Sequence, residues 1–203
     1  MKSLSEIETI SKRASRAAGF SWGVAEEVGK NIRILEMFGL SGIKNLNYYF
    51  RIKNNKKFEK LNLVNNENIT TKLEFCPISA GLSFLDQIRS LDNLNEILFK
   101  RIAYPLLFLP FVSRASEVIG KKLQLKIDNR IFYLNYNLSI YSNSLEKGVV
   151  EIGNDVSIEF LENKDSFKEN EWQELYKLSE NTFVEENESS KKAGAGAGLT
   201  DND

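Results

Sequence analysis

The dominant period of the apolar residues in this chain changes near Lys121, and that change limits the folds open to it. From Trp22 onward Ala25, Val28, Ile32, Leu35 and Phe38 recur at intervals of three and four, the spacing of one helix face. After Lys121, Leu123, Leu125 and Ile127 alternate with Lys122, Gln124 and Lys126, the spacing of a strand with one buried face. Helices first and strands afterwards imply an α+β fold, with the two kinds of element segregated along the chain.

Local signals place the ends of the helices. Ser3 or Ser5 caps the first, Gly19 stops it, and Ser21 opens the second, which ends at Gly39. Ser41 caps a third through Leu46, Tyr49 and Phe50. Ile69, Thr71, Leu73 and Phe75 alternate as a strand, and Pro77 starts a helix carrying Ile78, Leu82, Leu85 and Ile88 on one face. Asp92 or Asn93 caps a further helix with Leu94, Ile97, Leu98 and Ile102, which must end before Pro105. Pro110 splits the apolar run that follows into a short buried segment and a helix over 111–119, closed by Gly120.

Asp128 and Asn129 have hairpin-turn chemistry, and strands are expected over 130–136, 138–141, 149–152 and 156–161. A last helix over 169–183 places Trp172, Leu175, Tyr176 and Leu178 to cover the sheet. The expected architecture is therefore amino-terminal and central helices packed on an antiparallel β-meander, with a carboxy-terminal helix and an extended Gly/Ala tail. Residues 1–184 form one α+β domain; 185–203 form a polar linker and an acidic tail too poor in apolar side chains to offset its ordering entropy. At 203 residues and 42% hydrophobic content, the chain suits a single core.

Composition excludes more chemistry than it suggests. There is no histidine and one cysteine, Cys76, so a Ser-His-Asp triad, a His-ligated zinc and an intramolecular disulfide are all out of reach of one copy. No cofactor is expected. A net charge of -1 argues against a nucleic-acid surface, and no stretch approaches the roughly 20 apolar residues that span a bilayer. One cysteine and an amino end without the apolar core of a signal peptide point to the cytoplasm. The local basic run Arg51, Lys53, Lys56, Lys57 and Lys60 is read as a solvated connector rather than a phosphate site.

A few positions retain chemical interest. Cys76, ahead of a helix amino terminus, is a nucleophile candidate whose plainer reading is a small buried hydrophobe; Asp86 is a candidate for carboxylate chemistry. Arg13, Arg16 and Arg33 would form an anion site if they converged across the first two helices. Trp22, beside Gly23, is expected to anchor the packing where two helices meet. In the tail, Gly194, Gly196 and Gly198 are spaced like a nucleotide loop, but they follow a polar linker and open no helix. Asp201 and Asp203 are too few for a metal site of their own. The tail is either unfolded in isolation or an extended strand that docks in a narrow groove through Gly194, Gly196, Gly198, Leu199, Asp201 and Asp203.

Three blocks resemble an uncharacterised family of proteobacterial proteins of unknown function: Leu4 to Glu8 with Gly19 to Glu27, Cys76 to Gly81, and Ala193 to Asp203. The resemblance implies no activity and no catalytic residue. A second likeness, to the helical amino end of malate and lactate dehydrogenases of the non-Rossmann type, lacks the histidines those enzymes use. The expectation is a cytoplasmic accessory or binding protein whose tail docks on a protein partner or in its own cleft, with a small molecule as a further possible ligand. The alternative is a small histidine-free metabolic enzyme working through carboxylates with Mg²⁺.

Overall fold

The computed structural model describes residues 2–135, 139–144, 148–161 and 165–182. Contacts divide the chain into two compact units, residues 1–163 and 164–203. The first contains α1 (Leu4–Ala17), α2 (Trp22–Met37), α3 (Gly42–Lys53), β1 (Glu67–Asn68), α4 (Pro77–Leu91), β2 (Glu96–Ala103), a 3-10 turn (Pro105–Leu107), α5 (Leu109–Ile119), β3 (Leu123–Ile127), β4 (Arg130–Asn135), β5 (Ser139–Ser142) and β6 (Ile152–Phe160). The class is α+β, as the change of period implies.

Helix ends follow short-range chemistry. Ser3 Oγ accepts the Glu6 amide and Ser21 Oγ the Val24 amide, which occupies donors that a helix start otherwise leaves unpaired. Gly19 and Gly120 stand in the left-handed region past the ends of α1 and α5, with φ of 93° and 65°, where a side chain would be strained. Pro110 lies in the first turn of α5 rather than ahead of it. There its missing N–H costs nothing, so the helix starts two residues earlier than the expected 111.

The sheet has the order β1-β2-β6-β3-β4-β5. Only β3, β4 and β5 follow one another as a meander; β6 returns to pair antiparallel with both β3 and β2, and β1 runs parallel to β2. The meander expectation thus gives way to a mixed sheet with β6 inside it. Cross-strand register aligns Ile97, Ile158, Leu125 and Phe132 in one row and Phe99, Val156 and Ile127 in another, all buried. Helices α2 to α5 close on these rows as one core, in which Phe108 packs against both Phe84 and Phe99. Residues of the opposite face, such as Lys100, Lys126 and Tyr133, are exposed.

Three sequence expectations fail here. The segment read as a helix carrying Leu94, Ile97, Leu98 and Ile102 is strand β2, and Asp92 ends α4 instead of capping a new helix. The alternating strand through Ile69 and Leu73 is absent: β1 ends at Asn68, Ile69 is exposed, and Phe75 joins the sheet only through single bridges to Glu59 and Ile102. No strand forms over 149–151, and Ile152 opens β6. On α4 the buried face is carried by Ile78, Gly81, Phe84 and Ile88, while Leu82 and Leu85 are half-buried at its side.

In the second unit α6 (Glu169–Ser179) continues into a 3-10 turn (Glu180–Thr182). Trp172, Leu175, Tyr176 and Leu178 are exposed. Phe167 stacks on Trp172 with ring centroids 5.7 Å apart.

Candidate functional site

The basic run after α3 does not lie on open surface. The chain leaves α3 at Lys53, passes Phe58, bridges from Glu59 to Phe75 and returns at Cys76 to start α4. This route folds four lysines over the α4 amino terminus. The resulting pocket, of about 340 Å³, is lined by Phe20, Tyr49, Lys53, Lys56, Lys57, Phe58, Lys60, Cys76 and Ser79. Among the described residues its lining has four cations and no carboxylate.

The walls are aromatic. Tyr49 is packed between Phe50, Phe58 and Tyr104, with ring centroids 5.7, 5.2 and 5.9 Å away. Its hydroxyl lies 3.1 Å from Cys76 Sγ, and the same sulfur accepts the Ser79 amide at 3.4 Å, so Cys76 serves as the α4 cap. Burial, reinforced by the adjacent Cys76, pushes the Tyr49 phenol far up, and it keeps its proton. Cys76 is a free thiol, 6% exposed, at the corner where the sequence placed it.

The lysines differ in what already holds them. Lys53 donates to the Ala18 carbonyl at 2.8 Å and stands 4.9 Å from the Phe20 ring centre. Lys56 Nζ is 2.6 Å from Glu74 Oε2, and Arg101 is 2.7 Å from Oε1 of the same carboxylate. Glu74 is only 3% exposed. Burial pushes its carboxyl up, but Lys56 and Arg101 outweigh burial and hold it below the usual carboxylate range. Lys57 and Lys60 have neither a hydrogen bond nor an ion pair among the described residues. Two uncompensated ammonium groups beside a helix amino terminus and three aromatic rings form a place for a small anion with an apolar body.

Two other depressions among the described residues lack this combination. The groove between α1 and α3 is apolar, lined by Ile7, Ile10, Ile43 and Phe50, and its Lys2 and Glu6 pair with each other. The hollow beside β1 mixes Glu59 and Glu67 with Lys60 and Lys72.

The other sequence candidates lie apart. Asp86 is exposed on α4. Arg16 bonds the Phe20 carbonyl and lies over the Trp22 ring, whereas Arg33 pairs with Glu8. Glu8 and Arg16 are about 12 Å apart along α1, so Arg16 and Arg33 are held at separate places; Arg13 is exposed between them. Trp22 is 58% exposed and anchors no helix crossing. Gly194, Gly196, Gly198, Leu199, Asp201 and Asp203 lie outside the described residues. Among the described residues no three His, Cys, Asp or Glu side chains converge to hold a metal ion, and no helix is long and apolar enough to cross a membrane. Sequence reasoning missed the lysines because nothing local distinguishes a solvated connector from one folded over a helix end.

Fold and site together describe an α+β protein with a lysine-rimmed, aromatic pocket at a helix amino terminus. Residues 2–77 match the model of a family described as "Protein of unknown function (DUF3726)", in keeping with the uncharacterised family that the sequence blocks resemble. The matched stretch covers α1 to α3 and the connector, and includes every pocket residue except Ser79. No curated protein and no solved structure matches the chain.

Proposed function

We propose that this is a cytoplasmic binding protein for a small anion-bearing molecule, held in the lysine-rimmed pocket. One observation carries the reading: four lysines and no carboxylate line the cavity, and Lys57 and Lys60 are uncompensated among the described residues. Phe20, Tyr49 and Phe58 suit an apolar or aromatic body, while Lys57, Lys60 and the α4 amino terminus suit its carboxylate or phosphate. The free thiol at Cys76 accords with a reducing compartment.

Calorimetry at low salt with benzoate, citrate and inorganic phosphate tests the proposal. At least one should bind with a Kd of about 1 mM or tighter, and the Lys57→Ala/Lys60→Ala variant should lose about tenfold in affinity with an unchanged circular dichroism spectrum. Absence of binding by all three, or equal affinity in the double variant, would overturn it.

The tail supports a second element of the reading. Its alternating Gly and Ala over 193–198, closed by Asp201 and Asp203, suits a strand that docks in a partner's narrow groove. Deleting 193–203 should leave the Tm unchanged and abolish association with that partner; retained association would remove the tail from the account.

A further inference from the structure

Behind Lys56 and Phe58, which also wall the lysine pocket, lies a chamber of about 30 Å³ lined by Ile52, Glu74, Ala103, Tyr104, Glu151 and Ile152 as well. Tyr104 is 1% exposed, and its hydroxyl has no hydrogen-bond partner among the described residues. A buried hydroxyl without a partner carries its full desolvation cost, so such groups are generally satisfied by protein or by ordered water. The backbone leaves Tyr104 little freedom to find one elsewhere. Its amide is bonded to the Glu151 carbonyl at 2.8 Å, its φ is 42°, and Pro105 follows. Its ring is held edge-on to Tyr49.

We infer that this chamber binds one ordered water molecule, which accepts a hydrogen bond from the Tyr104 hydroxyl and donates to the Glu74 carboxylate. The size is right, since a water needs at least about 10–15 Å³ and two to four polar partners. A cation is disfavoured because Glu74 already lies between Lys56 and Arg101. An anion is disfavoured by Glu74 and Glu151 in the lining. Burial, followed by the nearby Glu151, pushes the Tyr104 phenol up, so the hydroxyl has a proton to donate. Glu74 is held ionised and accepts. The water completes a chain from Tyr104 through Glu74 to Lys56, joining the end of β2 to the wall of the lysine pocket.

Tyr104→Phe reads the occupancy through the sign of its effect. Removing a hydroxyl that bonds a held water lowers stability, whereas removing an unsatisfied one raises it. The expected result is a Tm lower by about 2–4 °C. A crystal structure of the unaltered protein at about 1.8 Å should also show a water peak within about 3 Å of both Tyr104 Oη and a Glu74 oxygen. A chamber without that peak overturns the proposal, and so does a Tm that is unchanged or raised in Tyr104→Phe. Glu74→Gln, which preserves shape and an acceptor oxygen, should retain the peak; its loss there would count against Glu74 as a simple hydrogen-bond acceptor for the water.

Discussion

Helices α1 and α2 and helices α4 and α5 are both brought close by a glycine, yet what fills the two crossings differs. At Gly29 an added methyl would lie 2.7 Å from the Glu8 carbonyl oxygen, and the α1 side of the contact is Ser11 and Ser15, the two buried residues of that helix. Ion pairs border it: Lys12 with Glu26 and Arg33 with Glu8. At Gly81 the added methyl would lie 2.2 Å from the Phe111 ring, within a core that includes Phe84, Phe99 and Phe108. The first crossing joins small and charged groups, with ion pairs along its border. The second joins rings that have nowhere to go.

The largest effects should fall on the aromatic crossing. Phe84→Ala leaves a cavity at a fully buried position and should cost about 3–5 kcal/mol in urea unfolding. Gly81→Ala should cost about 2–3 kcal/mol despite the helix propensity it gains, because the Phe111 ring must move. If Gly81→Ala were neutral, α4 and α5 would not pack as tightly as described.

Next comes the link between the two helix pairs, the ion pair of Glu27 on α2 with Arg114 on α5. Burial pushes the Glu27 carboxyl up, but Arg114 and Lys30 outweigh it and hold it below its usual value of 4.5. The unfolded chain then binds a proton first as acid is added. The pair's stabilisation is therefore full above about pH 5 and is lost as pH falls through the depressed folded value. Glu27→Gln should lower stability by about 1–2 kcal/mol at pH 7 and flatten the fall in Tm between pH 6 and pH 3. Parallel melting curves for the two proteins across that range would show the pair to be inert.

Smaller changes belong to α1 and α2. Gly29→Ala should cost about 1 kcal/mol, since the clash with the Glu8 carbonyl is offset by propensity and by a shift of α1. Lys12→Ala removes one half of an exposed ion pair and should leave the Tm within measurement error. A loss from Lys12→Ala as large as that from Gly81→Ala would erase the distinction between the crossings.

Much of the helical framework was legible because its signals act over a few residues. Ser3, Gly19, Ser21, Gly39, Pro77 and Gly120 each answer to a backbone donor, a positive φ or a missing N–H within one turn. The hairpin at Asp128 was legible for the same reason. Strand β2 was not. Ile97, Leu98 and Ile102 fit a helix face, while buried Ile97 and Phe99 fit alternation, and a short apolar run supports both periods. Of the site, the place of Cys76 at a helix start was visible. Lys57 and Lys60 were visible only as charge.

The sequence by itself determined the α+β class, the caps and stops of most helices, and the chemistry that no histidine and one cysteine exclude. Tertiary structure alone decided that residues 96–103 form a strand, because β6, far along the chain, supplies the hydrogen bonds that make it one. It also decided that a basic connector becomes a pocket wall. Charge is a property of each lysine, but whether that charge meets water or a helix amino terminus depends on where Glu59, Phe75 and Arg101 draw the chain back onto the sheet.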